Sequence, residues 1–416
     1  MKVLIVNTNE RKGGAAVAAR RLLEALNNNG VKAKMLVMEK QSNTPTVIAC
    51  GGRLMGEVHF LWERLVIWAN NLFSRRNLFA VSIANAGTDI TRLPEFHEAD
   101  IIHLHWFNQG FLSLHSLQRI LDSGKPVVWT MHDMWAATAI CHHSHDCQRF
   151  EDTCRQCPFL RFPSSHDLSY RVFKRKQQLL QGRKVHFVAV SQWLEQRAHC
   201  SAIIDQQSIC VIPNAIALHH FPLTERLEAR QLLGIKEPYV LVFGAARIDD
   251  PIKGFSYLLQ ALQRLLDNGN FRPDELRLQL FGGIKQEQKL AEIPIPYTYY
   301  GYVKDEKRLA QLYSASNVVV SSSLYETFGQ TLIEAQACGC LPVAFGGSGQ
   351  EDIIRHRENG YLAERLSVES LTDGLVWALH ADIPVQQLRI GVTQRFSEAV
   401  VAHSYIKLYE EIERKD

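Results

Sequence analysis

Short buried strands alternate with amphipathic helices along this chain, and the alternation occurs in two separate series. The first series begins with the strand-like KVLIVN, a Gly-rich loop and the helix-like AAVAARRLLEALNNNG, and continues through VKAKMLVM, ADIIHLHW, PVVWTMHD and KVHFVAVS. Buried strands and helices joined by short connections predict a doubly wound parallel sheet. The alternation therefore indicates the α/β class.

The second series begins after a linker near residues 213–222. Its strand-like segments are PYVLVFGAAR, RLQLFGG, YTYYGYV, VVVSSS and LPVAFGG, with helix-like segments between them. A length of 416 residues also exceeds the ~250–300 at which a single core stops growing. We predict two Rossmann-like domains, residues 1–214 and 215–395, followed by a C-terminal helix at 396–416.

Charge and apolar runs limit the classes of partner. A net charge of +3 is too small to indicate nucleic acid. The chain has no uncharged stretch of the ~18 residues that a membrane-spanning helix needs, and the apolar run near its N-terminus is shorter than a signal-peptide core. Nine scattered cysteines, an odd number, argue for a reducing compartment. We expect a soluble, cytoplasmic protein.

Two glutamates, Glu326 and Glu334, lie eight positions apart in SLYETFGQTLIEAQACGC. A strand-like run precedes them and helix formers follow, which predicts Glu326 in a loop and Glu334 one turn inside a helix. The amides of Gly329, Gln330 and Thr331 would open that helix, and helix N-termini favour phosphate groups. Because carboxylates accept hydrogen bonds from hydroxyls, the segment predicts a site for a sugar-bearing diphosphate. The alternative is that both glutamates are ordinary surface charges.

Several blocks, taken in order, resemble the retaining glycosyltransferases of family 4, which have the two-domain GT-B fold. The blocks are the E-x7-E segment with EAQACGCLPV, GAARIDDPIKGFSYLLQAL, GGAAVAARRLLEAL, TMHD and IPNAI. The stretch from HLHWFNQG to the cysteine-rich CRQCP resembles bacterial exopolysaccharide and colanic-acid-type glycosyltransferases. The resemblance covers essentially the whole chain. It implies two domains facing across a cleft, with the C-terminal helix crossing back to the N-terminal domain.

The resemblance also implies roles for individual residues. Arg247 and Lys253 would stabilise the negative charge of a leaving nucleoside diphosphate. Glu326 and His132 would contact the donor sugar. The resemblance thus implies a catalytic role for Arg247, Lys253, Glu326 and His132. Glu326 is not assigned as a nucleophile, because a front-face, ion-pair-like substitution is the usual proposal for this family. The residues implied in donor binding are Glu334, on the ribose, together with Gly329, Gln330, Thr331, Gly13, Gly14 and Val303.

The resemblance implies a retaining, hexosyltransferase-like enzyme of polysaccharide biosynthesis. It would move a sugar from a nucleotide-sugar donor to a glycan acceptor, a lipid-linked precursor being the favoured kind. The alternatives are a nucleotide-sugar epimerase and a non-catalytic nucleotide-sugar-binding protein of the same fold, and the full set of clamp residues disfavours both. Transfer is expected to need no metal cofactor, because the two cations replace it and no Asp-x-Asp motif is placed to hold one.

A cysteine-rich insertion is predicted at about residues 136–165. It contains Cys141, Cys147, Cys154 and Cys157. A C-x2-C pair is a frequent zinc half-site, and four thiolates can bind zinc tetrahedrally, although this spacing is tight. Two disulfides, disfavoured in a reducing cytosol, and four reduced thiols are the alternatives. We expect the cluster to hold a loop rather than to catalyse, and a zinc-dependent interaction module remains a further functional alternative.

Residues 54–73, LMGEVHFLWERLVIWANNLF, form an aromatic-rich amphipathic segment followed by Ser-Arg-Arg. Such a helix can rest on a membrane, which would place the protein at the inner face of the cell membrane near a lipid-linked acceptor. The favoured alternative is that the helix packs on its own domain, because an amphipathic pattern alone does not separate a protein core from a lipid surface.

Overall fold

The computed structural model describes residues 1–50 and 53–414 and divides the chain into two compact units. One unit comprises Met1–Ala215 and Val401–Asp416, and the other comprises Ile216–Val400. Each unit is built around its own parallel sheet, so the predicted α/β class is confirmed. No helix in the described part of the chain combines the length and the apolar character that crossing a bilayer requires.

The first unit contains a seven-stranded sheet in the order β3-β2-β1-β4-β5-β6-β7, with every neighbouring pair parallel. Its strands are β1 Lys2–Val6, β2 Lys32–Val37, β3 Val47–Ala49, β4 Ile101–Leu104, β5 Val127–Met131, β6 His186–Ala189 and β7 Ser208–Val211. The chain order reverses between β1 and β4. Nearly all residues of β1, β4 and β5 are buried, as expected for a sheet covered on both faces.

Six helices of the first unit lie between its strands. They are α1 Gly14–Asn28, α2 Arg53–Asn70, α3 Pro94–Glu98, α4 Leu114–Asp122, α5 Leu168–Leu180 and α6 Gln192–His199. Ser113, Asp167 and Ser191 cap α4, α5 and α6, because each side chain accepts a hydrogen bond from the backbone N–H three residues on. Between β5 and α5 the chain forms a long loop with one short 3-10 turn, and this loop carries the cysteine-rich insertion.

The second unit contains a six-stranded parallel sheet in the order β10-β9-β8-β11-β12-β13. Its strands are β8 Tyr239–Arg247, β9 Leu276–Gly283, β10 Tyr297–Tyr299, β11 Val318–Ser321, β12 Leu341–Phe345 and β13 Tyr361–Ala363. Its helices are α7 Arg226–Leu233, α8 Phe255–Asp267, α9 Glu306–Ala315, α10 Gln330–Ala337, α11 Val368–His380 and α12 Val385–Phe396. The chain order reverses between β8 and β11.

The last helix, α13 Glu398–Glu413, belongs to the first unit from Val401 onward. Its apolar side chains join the core that the β1 side chains Val3 and Ile5 help to form. Two of them also carry buried hydroxyls, because Tyr405 contacts Thr130 and Tyr409 contacts His103 through hydrogen bonds. The helix is therefore an integral part of the first unit's core.

Candidate functional site

The predicted donor residues of the second unit lie where its chain order reverses. In an open parallel sheet, ligands bind beyond the carboxyl ends of the strands at such a switch point. Strand β8 ends at Arg247 and leads through a short 3-10 turn to Lys253, and β11 leads into the loop that carries Glu326. Because β8 and β11 are paired in parallel, these residues are collected at one edge of the sheet.

Both predicted clamp cations are paired with carboxylates. Lys253 Nζ lies 2.6 Å from Glu326 Oε2, and these side chains are 29% and 21% exposed. Arg247 lies 2.6 Å from Asp250 Oδ2. The structure thus joins Lys253 directly to the glutamate that sequence motifs assign to the sugar, and it leaves both groups partly open to solvent. An anion that approaches this edge meets two cations already held in place.

Gly254 fixes the position of Lys253 against the end of β11. Its φ is +65°, and an added Cβ would lie 1.9 Å from the carbonyl oxygen of Ser322. The Ser322 hydroxyl donates to the Gly254 carbonyl at 2.8 Å. Only glycine combines this backbone conformation with so close an approach, which explains the Lys-Gly pair in the sequence.

Helix α10 brings its N-terminus to the same region. Gly329 is its N-cap, Gln330 and Thr331 form its first turn, and that turn carries no acidic residue, so its amide groups present positive potential. Glu334 lies one turn inside, is 6% exposed and accepts a hydrogen bond from the Tyr313 hydroxyl at 3.2 Å. Burial and the charge of Glu334 raise the pKa of Tyr313 well above its usual value, so the phenol stays a donor.

One further contact and the position of Val303 complete the description of the second unit's candidate site. The Glu326 carbonyl accepts a hydrogen bond from Gly349 N at 2.8 Å, so a third loop fixes the Glu326 backbone. Val303 lies half-buried in the loop between β10 and α9, two residues after the turn at Gly301.

The first unit has its switch point between β1 and β4. The loops that follow these strands are joined, because Thr8 N donates to the Trp106 carbonyl at 2.8 Å and Trp106 N donates to Asn7 Oδ1 at 2.9 Å. Gly13 has a φ of +90° at the start of α1, and a Cβ added at Gly13 or Gly14 would meet no atom within 4 Å. Space is therefore available next to the N-terminus of α1.

Three histidines lie close together at the ends of β4 and β5. His105 Nδ1 and His132 Nε2 are 2.8 Å apart, and His103 Nε2 lies 2.8 Å from Thr130 Oγ1. Burial lowers the pKa of His103 to about 3, that of His132 to about 4, and that of His105 well below its usual value. All three imidazoles are therefore neutral near pH 7, and in each contact one partner donates and the other accepts.

Asp133 connects the histidines to the cysteine-rich loop. Its carboxylate accepts hydrogen bonds from Trp106 Nε1 at 2.9 Å, from His142 Nδ1 at 2.7 Å and from Trp135 N at 2.8 Å. Burial opposes ionisation, but His142 and these hydrogen bonds outweigh it and lower the pKa of Asp133 to about 2. A cavity of about 10 Å³ lies beside His105, His132 and Asp133.

His132 was selected from the sequence, whereas its contact with His105 and the contact of Asp133 with His142 were not predicted. A signal for the first contact was available, because HLHW and TMHD each contain the last two residues of a buried strand and the two residues that follow it. Since parallel strands end at the same edge of a sheet, polar residues just after them meet. His142, by contrast, comes from an irregular loop whose path no periodic pattern reveals.

The four cysteines of the insertion surround a cavity of about 20 Å³. They are Cys141, Cys147, Cys154 and Cys157. All four are free thiols. Burial is the main reason why the pKa values of Cys141, Cys154 and Cys157 are raised to about 12. Within residues 1–50 and 53–414, no group of three or more His, Cys, Asp or Glu side chains has the arrangement of a metal site. Zinc binding by these cysteines stays a prediction.

Comparisons with known proteins match both units. The family model described as Glycosyltransferase Family 4 matches residues 12–220, and the model described as Glycosyl transferases group 1 matches residues 225–393. A D-inositol 3-phosphate glycosyltransferase of Geodermatophilus obscurus is 24% identical over 275 residues, which cover 64% of this chain and 56% of that protein. A phosphatidyl-myo-inositol mannosyltransferase of Mycobacterium tuberculosis is 26% identical over 48% of this chain and 53% of that protein. The chain thus spans about half the length of these curated relatives.

A solved structure with a similar fold is HepE of Anabaena, crystallised in complex with UDP and glucose. It superposes with a TM-score of 0.62 at 16% sequence identity, over 99% of this chain and 100% of that chain. At this identity the likeness concerns the fold, and it confirms the predicted GT-B fold class.

Proposed function

The chain belongs to glycosyltransferase family 4, as its motifs indicated, and we propose that it is a retaining enzyme that transfers a sugar from a nucleotide-sugar donor to a glycan. The observation that carries the proposal is the contact of 2.6 Å between Lys253 and Glu326 at the switch point of the second unit. A cation such as Lys253 can bind a diphosphate, and a carboxylate such as Glu326 can accept a hydrogen bond from a sugar hydroxyl. In this structure the two side chains are adjacent.

The second unit is proposed to bind the donor. Lys253, Arg247 and the amides at the start of α10 would hold the diphosphate, and Glu334 would accept hydrogen bonds from the ribose hydroxyls. Glu326 would hold hydroxyls of the transferred sugar. Lys253, Arg247 and the α10 amides would supply fixed positive charge where the leaving group becomes negative, so they would favour the transition state over the ground state.

The proposed chemistry is a substitution on one face of the sugar. The bond between the anomeric carbon and the phosphate oxygen breaks, and its electron pair leaves with the diphosphate. The acceptor oxygen forms its bond to the anomeric carbon from the same face, and the acceptor proton passes to the departing phosphate oxygen. Glu326 is tied to Lys253, which suits a positioning contact better than nucleophilic attack.

The first unit is proposed to contribute neutral hydrogen-bonding groups. His132 is held by His105 and lies beside a small cavity, so its imidazole can contact a sugar hydroxyl without adding charge. Gly13 and Gly14 leave room at the N-terminus of α1 for a ligand to approach the backbone.

A panel of nucleotide sugars tests the donor assignment. UDP-, GDP- and ADP-sugars are each incubated with the full chain, and we expect at least one to bind saturably and to release its nucleoside diphosphate. Arg247→Ala should lower that turnover strongly, and nuclear magnetic resonance of the product should show the anomeric configuration of the donor. Unchanged turnover in Arg247→Ala would contradict the clamp, and an inverted product would contradict the retaining mechanism.

The same panel separates the two alternatives. An epimerase would convert one nucleotide sugar to its isomer with the nucleoside diphosphate still attached and with no acceptor present. A binding protein would bind a nucleotide sugar saturably but would not turn it over with any acceptor. The full set of charged groups at the switch point of the second unit supports the transferase over both.

The acceptor is proposed to be a lipid-linked glycan of polysaccharide synthesis. The resemblance to exopolysaccharide-type transferases supports this proposal, as does the relative named for action on phosphatidyl-myo-inositol. The test compares a lipid-linked oligosaccharide with the same oligosaccharide free in solution, at equal concentration. Equal transfer to both would argue against a lipid-linked acceptor while leaving the donor assignment untouched.

A further inference from the structure

Helix α2 exposes its apolar side chains to solvent. Leu54, Met55, Val58, Leu61, Trp62 and Leu65 are each between 48% and 78% exposed. At 100° per residue these positions share one side of the helix, which we call the outer face of α2. Exposed apolar residues scattered singly are common on proteins, but a contiguous row along a helix marks an interaction surface.

The opposite side of α2 buries charge. Glu63 is 0% exposed, and its carboxylate accepts hydrogen bonds from the Ser82 hydroxyl at 2.6 Å, from Ile83 N at 2.7 Å and from Ala84 N at 2.8 Å. Arg64 pairs with Glu63 at 2.8 Å and donates to the Val81 carbonyl at 3.0 Å. These bonds attach α2 firmly to the segment before β4.

The arrangement is the reverse of that expected for a helix packed on a protein in water. Such a helix turns its apolar stripe to the core and its charged side to solvent. The helix packs on its own domain, which was the favoured expectation from the sequence, but it does so through Glu63, Arg64 and Ile67 and not through its row of exposed apolar side chains. Because the buried ion pair fixes the orientation, the outer face is presented as a rigid surface.

Further aromatic residues extend this surface past the end of α2. Phe73, Phe79 and Phe162 are each more than half exposed, and Leu72 is 54% exposed. The segment around Phe162 lies against the end of the helix, because Arg161 N donates to Asn71 Oδ1 at 2.6 Å. Apolar side chains from α2, from the turn after it and from the cysteine-rich loop therefore form one region.

Arginines lie beside this region. Arg75 and Arg76 are exposed in the turn after α2, Arg161 is exposed next to Phe162, and Arg171 donates to Asn70 Oδ1 at 2.6 Å. Within residues 1–50 and 53–414, none of the four forms an ion pair with a carboxylate. Apolar side chains bordered by unpaired arginines complement the apolar interior and anionic headgroups of a phospholipid layer.

We propose that the outer face of α2, with Phe73, Phe79 and Phe162 and the arginines beside them, binds the surface of an anionic phospholipid bilayer. The helix lies in the interface with its Leu and Trp side chains among the acyl chains, and the arginines contact lipid phosphates. A second copy of this chain is a poorer occupant. In a two-fold interface the same patch faces itself, which would bring these arginines close to their own copies. The proposal does not depend on transferase activity.

Vesicle co-sedimentation of the full chain tests the proposal. Vesicles of phosphatidylcholine alone are compared with vesicles that also contain phosphatidylglycerol, and we expect binding to the second kind that weakens with added salt. A variant with Val58→Ser, Leu61→Ser and Leu65→Ser should lose binding, and it should remain folded because all three side chains are exposed. Arg75→Gln with Arg76→Gln should weaken binding about 25-fold at low salt, since each arginine near an anionic surface contributes about a factor of five.

The matched control is Leu227→Ser with Leu232→Ser, which removes two equally exposed leucines from α7 in the other unit. This variant should sediment with vesicles as the unchanged chain does. Hydrolysis of the donor in solution, without vesicles, should be the same in all of these proteins. Binding that survives the α2 substitutions, or that is equal for neutral and anionic vesicles, would overturn the proposal. So would a dimer that dissociates with the α2 substitutions while no form of the protein binds vesicles.

Discussion

The pair formed by Lys253 and Glu326 leads to two predictions of opposite sign. Lys253→Met removes a charged donor to the diphosphate, and a hydrogen bond to a charged group contributes about 1.5–3 kcal/mol. Since the Lys253 side chain is 29% exposed, we expect the lower part of that range. The affinity for a nucleoside diphosphate should then fall about 10- to 30-fold.

Glu326→Gln should act in the other direction on the same ligand. In the protein without donor, the Glu326 carboxylate competes with a phosphate for Lys253 Nζ at 2.6 Å. A partly exposed ion pair of this kind contributes about 0.2–1 kcal/mol, so its removal should leave nucleoside diphosphate binding unchanged or up to about five-fold tighter. Turnover of the intact nucleotide sugar should fall, because the amide holds the sugar hydroxyls less strongly than a carboxylate.

Calorimetric titration with UDP is a suitable first assay, followed by donor turnover with the sugar that the panel identifies. Lys236→Met is the matched control, because Lys236 is an exposed lysine just before β8, at the opposite end of the strand from Arg247. Its UDP affinity should not change. If Glu326→Gln weakened UDP binding as much as Lys253→Met, or if Lys236→Met had an equal effect, the roles assigned to Lys253 and Glu326 would be wrong.

Three further predictions concern stability, pH and metal. Gly254→Ala should lower the free energy of unfolding by about 2–4 kcal/mol in urea denaturation, because the new Cβ would clash with the Ser322 carbonyl at the end of β11. Gly234→Ala is the control, since Gly234 has a similar φ of +66° but open space around it, and it should lower the free energy of unfolding by only about 1–2 kcal/mol. Equal losses in the two variants would contradict the clash. Burial depresses the pKa values of His103, His105 and His132, so below about pH 6.5 the unfolded chain binds more protons than the folded chain does. The free energy of unfolding should therefore fall by about 2 kcal/mol per histidine between pH 7 and pH 5. A free energy of unfolding that does not change over this range would contradict their burial. Metal analysis should find about one zinc per chain, and Cys154→Ser should lose it. Donor turnover by the unchanged chain should continue in the presence of a chelator. A chain without zinc would instead indicate four reduced thiols.

Much of the fold could be predicted from the sequence, because buried parallel strands have a strong local signature. KVLIV, VVWTM and VVVS are apolar and β-branched, and each forms the strand that its pattern indicates. The three-residue strands β3 and β13 were missed. Helix α5 was missed as well, although the buried residues Leu168, Val172, Phe173, Leu179 and Leu180 lie at helical spacing in LSYRVFKRKQQLL.

Contacts between distant residues were less predictable than the elements that carry them. The motifs placed Lys253 and Glu326 in one site, but their direct pairing depends on the Gly254 turn lying against β11. The sequence did not predict which side of α2 packs on its own domain. Its apolar residues suggested a core face, whereas the hydrogen bonds of Glu63 to Ser82 and the following amides outweigh that tendency. A buried ion pair depends on partners from another segment, and helical periodicity alone does not reveal them.

The two switch points differ in charge, and this difference supports assigning them to different parts of the substrates. The one in the second unit holds Arg247 and Lys253, each paired with a carboxylate and partly open to solvent. The one in the first unit holds His105 and His132, which burial keeps neutral. A diphosphate gains from fixed cations, whereas sugar hydroxyls need only neutral donors and acceptors. If the assignment were exchanged, the diphosphate would have to charge buried imidazoles against the desolvation that lowers their pKa, which makes the second unit the better donor site.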